Sequence, residues 1–369
     1  MAGVRSVREN GGIMVKRSKG LIKLCSLLGI VSLMATGCTK NTSTMIADTD
    51  STGTDKVKVV TTLFPQYDFA NEIGEDKVEV TMLLKPGVES HSYEPSPSDI
   101  ISINKADVFL YTGDEMEPWV TKILDSLDGD VKIIDLSEHI ELEKVGEHEH
   151  IHEDEAEHVH EDEIDHDHED ETEHAHEDEA EHVHEDETEH DHIHTYDPHI
   201  WTNPLNAKIM VEDIADALGE VDSENKEFYK DNAKEYNKNL DKLDQDIRDM
   251  ISQAKRTEVV FGGRFAFHYF FEEYGLSYVA AYDSCSSETE PSAKTIATII
   301  DKVKQDQIPV VFYEEFANPK VAESIAQATG AKTLLLHSCH NVSTDDYKNG
   351  ATYLSLMYQN LDNLKEALN

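Results

Sequence analysis

Fourteen of the chain's twenty histidines fall between residues 147 and 194, a stretch without a single Lys or Arg. After His148, His150 and His152 they come in pairs: His158 and His160, His166 and His168, His174 and His176, His182 and His184, His190 and His192, with His194 closing the run. Acidic spacers such as Glu185-Asp186-Glu187 separate the pairs. Imidazole nitrogens beside carboxylates suit borderline divalent metals, zinc above all. An acidic solubilising tract would account for the carboxylates but not for the His-x-His pairs. With almost nothing apolar to bury, the segment does not offset its ordering entropy and is expected to be disordered. It collects metal without a defined geometry, so a shaped site must lie elsewhere.

Four histidines outside the tract sit in short motifs. His91 lies in Pro86-Gly87-Val88-Glu89-Ser90-His91-Ser92-Tyr93-Glu94-Pro95, and His199 in Asp197-Pro198-His199-Ile200-Trp201-Thr202-Asn203-Pro204. His268 ends Gly262-Gly263-Arg264-Phe265-Ala266-Phe267-His268, and His340 belongs to His337-Ser338-Cys339-His340-Asn341. Each falls on a loop or helix start after a predicted strand. Ligands of parallel α/β sheets bind beyond the carboxyl ends of strands, so the four positions can converge. Taken singly, each would more often be a structural His satisfied by its neighbours. Cys339 adds a further donor type, a thiolate between two histidines.

The elements that must carry these residues follow from periodicity. Strands are predicted over 57–62, 78–84, 108–111 and 131–135, with helices over 66–73 and 118–127 and a helix start at Ser96-Pro97-Ser98-Asp99. The second half repeats the alternation: strands over 259–261, 277–281, 310–313 and 333–336, and helices over 265–274, 292–304, 319–329 and 347–368. Strands alternating with helices imply parallel sheets with helical crossovers. Between the halves, Tyr229, Ala233, Tyr236, Leu240, Leu243, Ile247, Met250 and Ala254 step by four and three without a break. A rod of that length spans roughly 45 Å at 1.5 Å per residue, enough to brace two lobes. A coiled-coil dimer is the alternative, but the stripe is narrow and short, so a monomer braced from within is expected. The expected fold is therefore α/β: two lobes, each a mostly parallel sheet with flanking helices, joined by one long rigid helix. The lobes are placed at 57–221 and 255–369 and the linker helix at 222–254.

The N-terminus carries Lys16, Arg17, Lys19 and Lys23, then an apolar run over 24–35, then Ala35-Thr36-Gly37-Cys38. A basic head, a short apolar run and small residues before a cut site make a secretory signal over 1–37, starting at Met1 or Met14. The Cys after Thr-Gly resembles a bacterial lipobox, with Ala35 where Leu is usual, so Cys38 is expected to carry lipid. Residues 38–56 read as a flexible tether, which puts the protein on the extracytoplasmic face of the cell membrane. In that oxidising setting Cys285 and Cys339 are expected to pair as a disulfide; a metal-bound Cys339 or two free thiols are the alternatives. The chain carries 32 basic and 76 acidic residues, net −44. The 147–194 tract supplies 24 of the acids, which leaves 32 against 52, or −20, elsewhere. Such a surface excludes nucleic acid as a partner and tolerates cations.

Together the motifs Gly-x-x-x-His-x-Tyr-Glu-Pro-x-Pro-x-Asp and Asp-Pro-His-x-Trp-x-x-Pro resemble the metal-binding receptor lipoproteins of bacterial ABC importers for zinc and manganese. The resemblance runs from residue 57 to the C-terminus, and the His-rich tract sits where zinc-type members carry such a loop. It implies two α/β lobes with metal in the cleft, and an ABC permease with its ATPase as partners. It further implies that His91, His199 and His268 are metal ligands. His340 matches the fourth ligand position, usually Asp or Glu, with His337, Glu315 and water as competitors. Four neutral imidazoles favour Zn2+ at ~2.0–2.1 Å, whereas Mn2+ prefers carboxylate oxygen. An enzyme is not expected, since the His-Glu-x-x-His motif of zinc hydrolases does not occur. A manganese-type receptor, or a zinc buffer or adhesin that sequesters without delivery, are the other readings.

Overall fold

Short runs of Val, Ile and Phe that are apolar on both faces belong in parallel sheets covered on both sides. In the computed structural model, which describes residues 56–124, 126–127, 130–144, 196–282 and 291–369, they form two such sheets. The signal, Cys38, most of the tether, the tract histidines and Cys285 lie outside these residues. Strands β1 (Val57–Thr61), β2 (Val78–Met82), β3 (Val108–Tyr111) and β4 (Lys132–Asp135) pair in the order β2-β1-β3-β4. Strands β5 (Glu258–Phe261), β6 (Ser277–Ala280), β7 (Val310–Tyr313) and β8 (Lys332–Leu335) repeat that plan as β6-β5-β7-β8. Every pairing is parallel. Strand order reverses beside β1 in one sheet and beside β5 in the other, the positions at which such sheets open a crevice for ligands.

The helices of the first half are α1 (Phe64–Gly74), α2 (Pro97–Ile103), α3 (Pro118–Leu124) and α4 (Pro204–Val221). At α2 the expected cap forms: Asp99 accepts from the Ser96 backbone N–H at 2.8 Å, and Pro97 occupies the first turn. Helix α4 was not anticipated, although its start is ordinary. Asn203 accepts from Leu205 N–H at 2.8 Å, Pro204 follows, and Ala207, Met210, Val211, Ile214 and Leu218 are buried at steps of three and four. The long helix is α5 (Lys226–Ser252), two to four residues shorter at each end than expected. Its 27 residues make a rod of about 40 Å. Tyr229, Ala233, Tyr236, Leu240, Leu243, Ile247 and Met250 are all buried, and α5 packs on α1, α4 and α10 (Tyr353–Leu368).

The second half adds α6 (His268–Tyr274), α7 (Ala293–Gln305), α8 (Lys320–Thr329) and α9 (Thr344–Lys348). The single closing helix expected over 347–368 is divided into α9 and α10. Gly350 at φ +75° breaks it, and the Thr352 side chain accepts from Ser355 N–H to start α10. One apolar cluster continues from Val59 and Leu110 in the first sheet through Leu240 and Leu243 of α5 to Phe261 and Phe312 in the second. The halves are also tied by hydrogen bonds around 337–342. Phe64 N–H donates to His340 O (3.1 Å) and Gly87 N–H to Val342 O (2.8 Å), while the Asn341 amide donates to Lys85 O and Val88 O, both at 2.8 Å. No helix among the described residues is long and apolar enough to cross a membrane.

Candidate metal centre

Loops leaving β2, β5, β7 and β8 and the start of α4 meet around a cavity of about 210 Å3. Its walls carry His91, His199, His340, Glu89, Glu314, Glu315 and Arg264. His91 follows the Pro86-Gly87 turn. Gly87 adopts φ +88°, a conformation that suits glycine, and the Glu89 carboxylate accepts from Ser90 N–H (3.0 Å) and His91 N–H (3.3 Å).

His199 is fully buried. Its backbone N–H donates to Asp197 Oδ1 at 2.7 Å, and its ring Nδ1 lies 3.0 Å from the same oxygen. Burial alone would raise the Asp197 carboxyl, but His199 and His268 outweigh it and hold the group far below the usual carboxylate range. An ionised carboxylate accepts only, so the Nδ1 of His199 carries the proton and Nε2 is left as a lone-pair donor. That Nε2 is buried without a hydrogen-bond partner.

His340 repeats the arrangement from the opposite side. Its Nδ1 meets Ser338 Oγ at 2.5 Å and stands 3.3 Å from Glu315 Oε1, and its Nε2 is likewise buried and unpartnered. Burial lowers the His340 pKa and keeps the ring neutral against the pull of Glu315 and Glu89. Burial would raise Glu315, yet His337, His340 and the Ser338 bonds keep it below its ordinary value. Cys339, at φ +66°, supplies the turn that aims His340 at the cavity.

Three of the four expected histidines therefore meet, and one does not. His268 is the first residue of α6, seven positions beyond the end of β5. Its Nδ1 lies 2.5 Å from Asp197 Oδ2 and its Nε2 3.0 Å from Tyr278 OH, so the ring sits behind His199 and off the cavity wall. The cause is the length of the turn after β5. Phe265 tucks inward and stacks on Tyr278 at 3.5 Å, so the residues facing the cavity are Gly263, Arg264 and Ala266. Of the competitors for the fourth position, His337 points elsewhere: its Nδ1 accepts from Cys339 N–H at 3.0 Å. Glu315 reaches the cavity but is engaged by Ser338 N–H (2.8 Å) and Ser338 Oγ (2.6 Å). Cys339 is a free, buried thiol, with Sγ 3.5 Å from His337 O. Cys285, its expected disulfide partner, lies outside the described residues.

Sequence reading missed Arg264, Glu314 and Glu89. Glu314 stands immediately after β7 and Arg264 three residues after β5, so the rule that ligands sit beyond strand carboxyl ends was signal enough to find them.

The donors suit a divalent cation. Two imidazoles bound tetrahedrally through Nε2 at ~2.0–2.1 Å hold their ring centroids roughly 5 Å apart. His91 and His199 are already at 5.4 Å, and His91 and His340 at 6.3 Å. Among the described residues no three His, Cys, Asp or Glu side chains close on one ion. Three carboxyl groups, of Glu89, Glu314 and Glu315, and the Arg264 guanidinium share the walls with the imidazoles.

A family profile described as zinc-uptake complex component A, periplasmic (ZnuA) matches residues 59–367. The chain is 34% identical over 356 residues to the high-affinity zinc uptake system protein ZnuA of Bacillus subtilis, covering 96% of this chain and 99% of that protein. It is also 34% identical over 321 residues to the zinc-binding lipoprotein AdcA of Streptococcus pneumoniae, over 84% of this chain but 56% of that longer protein. The crystal structure of the Zn(II)-bound ZnuA-like domain of Streptococcus pneumoniae AdcA superposes with a TM-score of 0.65 at 30% identity, covering 85% of this chain and 99% of that one. A match along nearly the whole chain, on a fold and cleft of this kind, makes the chain a member of the zinc-uptake component A family.

Proposed function

We propose that this protein captures Zn2+ outside the cytoplasm and delivers it to an ABC permease and its ATPase for zinc import. Membership of a family of solute-binding receptors, rather than of enzymes, supports the reading. The observation that carries it is the pair of unpartnered Nε2 atoms of His199 and His340, with His91 at coordination spacing from His199. His91, His199 and His340 are the proposed zinc ligands. His268 is assigned to hold Asp197, which in turn fixes the tautomer of His199. We further propose that Cys38 carries a lipid anchor, that residues 57–221 and 255–369 act as the lobes about a linker at 222–254, and that the His-rich tract gathers zinc near the cleft.

The test is growth of cells in chelator-limited medium when the chromosomal copy is replaced by His199→Ala. Growth should fail, and added zinc but not added manganese should restore it. Normal growth of the variant, or rescue by manganese alone, contradicts the proposal.

A further inference from the structure

Glu117 is a buried acid for which the three-histidine site has no use. It ends the turn that follows β3, immediately before α3, and is 3% exposed. Around it lie Thr62 just past β1, Gln66 in the first turn of α1 and Thr112 just past β3, all buried.

The hydrogens of this cluster can be counted. Gln66 Oε1 accepts from Thr62 N–H (2.9 Å) and Leu63 N–H (3.1 Å), which fixes the orientation of its amide, and Gln66 Nε2 donates to Thr112 Oγ1. Thr112 N–H donates to Glu117 Oε2 at 3.0 Å. Thr62 Oγ1 then lies between two oxygens, Gln66 Oε1 at 2.9 Å and Glu117 Oε1. Two such contacts need two hydrogens, and a hydroxyl has one. An amide oxygen brings none, so the second belongs on Glu117. With that proton the ring closes: Glu117 donates to Thr62 Oγ1, Thr62 to Gln66, Gln66 to Thr112, and Thr112 N–H back to Glu117. An ionised Glu117 would set two bare oxygens face to face away from water. Burial favours the same state and pushes the group up to about 8. No cation opposes it: Asp135 at the end of β4 raises it further, while β1 and α1 present the uncharged Thr62 and Gln66. Tyr111 at the end of β3 is itself pushed up by burial, by Asp135 and Asp114, and by Glu117.

The ring reaches the backbones of two proposed ligands. Thr62 O accepts at 3.2 Å from the N–H of Leu84, on the segment that runs from β2 into the His91 loop. Phe64 N–H, two residues beyond Thr62, donates to His340 O at 3.1 Å. One short turn thus holds a ligand loop from each half of the chain.

We propose that Glu117 is a positioning residue for zinc capture: held as the neutral acid, it fixes the 62–64 turn to which the loops of His91 and His340 are bonded. The inference rests on the proposed three-histidine site.

The test is a zinc titration of the full chain against a chelator strong enough to hold the tract's sites empty. It is run on wild type, Glu117→Gln and Thr62→Val at about pH 7 and about pH 9, on either side of the Glu117 value. The infrared absorption of protonated carboxyl groups and the visible spectrum of the Co2+-loaded forms are recorded in parallel. Glutamine copies the neutral acid, since its amide N–H donates to Thr62 and its oxygen accepts from Thr112. Glu117→Gln should bind zinc as tightly as wild type at the lower pH and lack one protonated-carboxyl band. One unit above its value only about a tenth of Glu117 keeps its proton, so at the higher pH the variant should bind about 10-fold tighter than wild type. Thr62→Val removes the acceptor and should weaken binding by about 10-fold at the lower pH, with the Co2+ spectrum unchanged because no donor to the ion is lost. A Glu117→Gln protein that does not fold, or that binds weakly at the lower pH, would overturn the inference. So would equal pH responses in wild type and Glu117→Gln, or unchanged affinity in Thr62→Val, the results expected of a purely structural ring. Wild type that binds no zinc under this competition would instead remove the three-histidine site, and the positioning role with it; the infrared band separates that failure from the state of Glu117.

Discussion

At the residue scale the cleft depends as much on what stands behind the imidazoles as on the imidazoles. Asp197 receives His199 on one oxygen and His268 on the other, so one carboxylate orients a ligand and is itself braced. Removing its charge while keeping its shape, by Asp197→Asn, should weaken zinc binding ~10- to 100-fold with every proposed ligand intact. Chelator competition reads this directly; unaltered affinity would mean that Asp197 has no part in the site. His268→Ala should cost less than His199→Ala in the same titration, because it removes the brace and not a donor. Equal losses would return His268 to the ligand set. The motifs around His91 and His199 were legible because their spacing is specific. His268 stands off the cavity wall, which sequence does not reveal: it shows that a His follows a strand and turn, but not how many residues the turn spends before a side chain reaches the cavity. The buried, unpartnered Glu314 was invisible for a related reason: satisfaction of a polar atom is a property of its three-dimensional neighbours.

At the element scale, positions where backbones meet constrain the cleft most. A Cβ on Gly262 would stand 2.3 Å from Ala322 Cα, a clash with the backbone of α8 that no side-chain rotation relieves. Gly262→Ala should therefore destabilise the second lobe and displace the turn that carries Arg264, lowering both the thermal midpoint and zinc affinity; a variant that melts and binds like wild type would show that α8 yields freely. In α5, Leu240 is fully buried within the cluster shared by both sheets. Leu240→Ala should cost about 2–5 kcal/mol in chemical unfolding. The β-branched strands and the stripe of α5 were readable because their periods are strict. The closing helix was misread as continuous because its apolar positions run on through Gly350, where only the positive φ ends it.

At the scale of the whole molecule, buried acids set the dependence on pH. Burial pushes Asp68 up to about 7, against the bonds it accepts from Tyr353 N–H (2.9 Å) and Tyr236 OH (3.5 Å). Burial likewise pushes Glu117 up to about 8, though it is bonded to Thr62 Oγ1 and accepts from Thr112 N–H at 3.0 Å. From an ordinary carboxyl value of about 4 up to these values, the folded protein holds protons that the unfolded chain has released. Stability contributed by these groups is thus present in acid, falls as pH rises through that window, and levels off above it. Asp197 and Glu315, both held low, act in the opposite sense, and their contribution is lost as the pH falls through their folded values. The metal-free protein should accordingly melt higher at about pH 6 than at pH 8, and Asp68→Asn should flatten that difference. An identical fall in wild type and variant would exclude Asp68 as a source. Loading should oppose melting by mass action, by about 2.7 kcal/mol at a hundredfold excess over Kd.

The cleft, as a property of both halves together, is tested most directly by the zinc that survives dialysis against a chelator able to empty the tract. Wild-type protein should keep one zinc per chain, and the His91→Ala/His199→Ala double variant none. Zinc retained by the double variant at the wild-type level would contradict the account, because the ion would then be held somewhere other than this cleft.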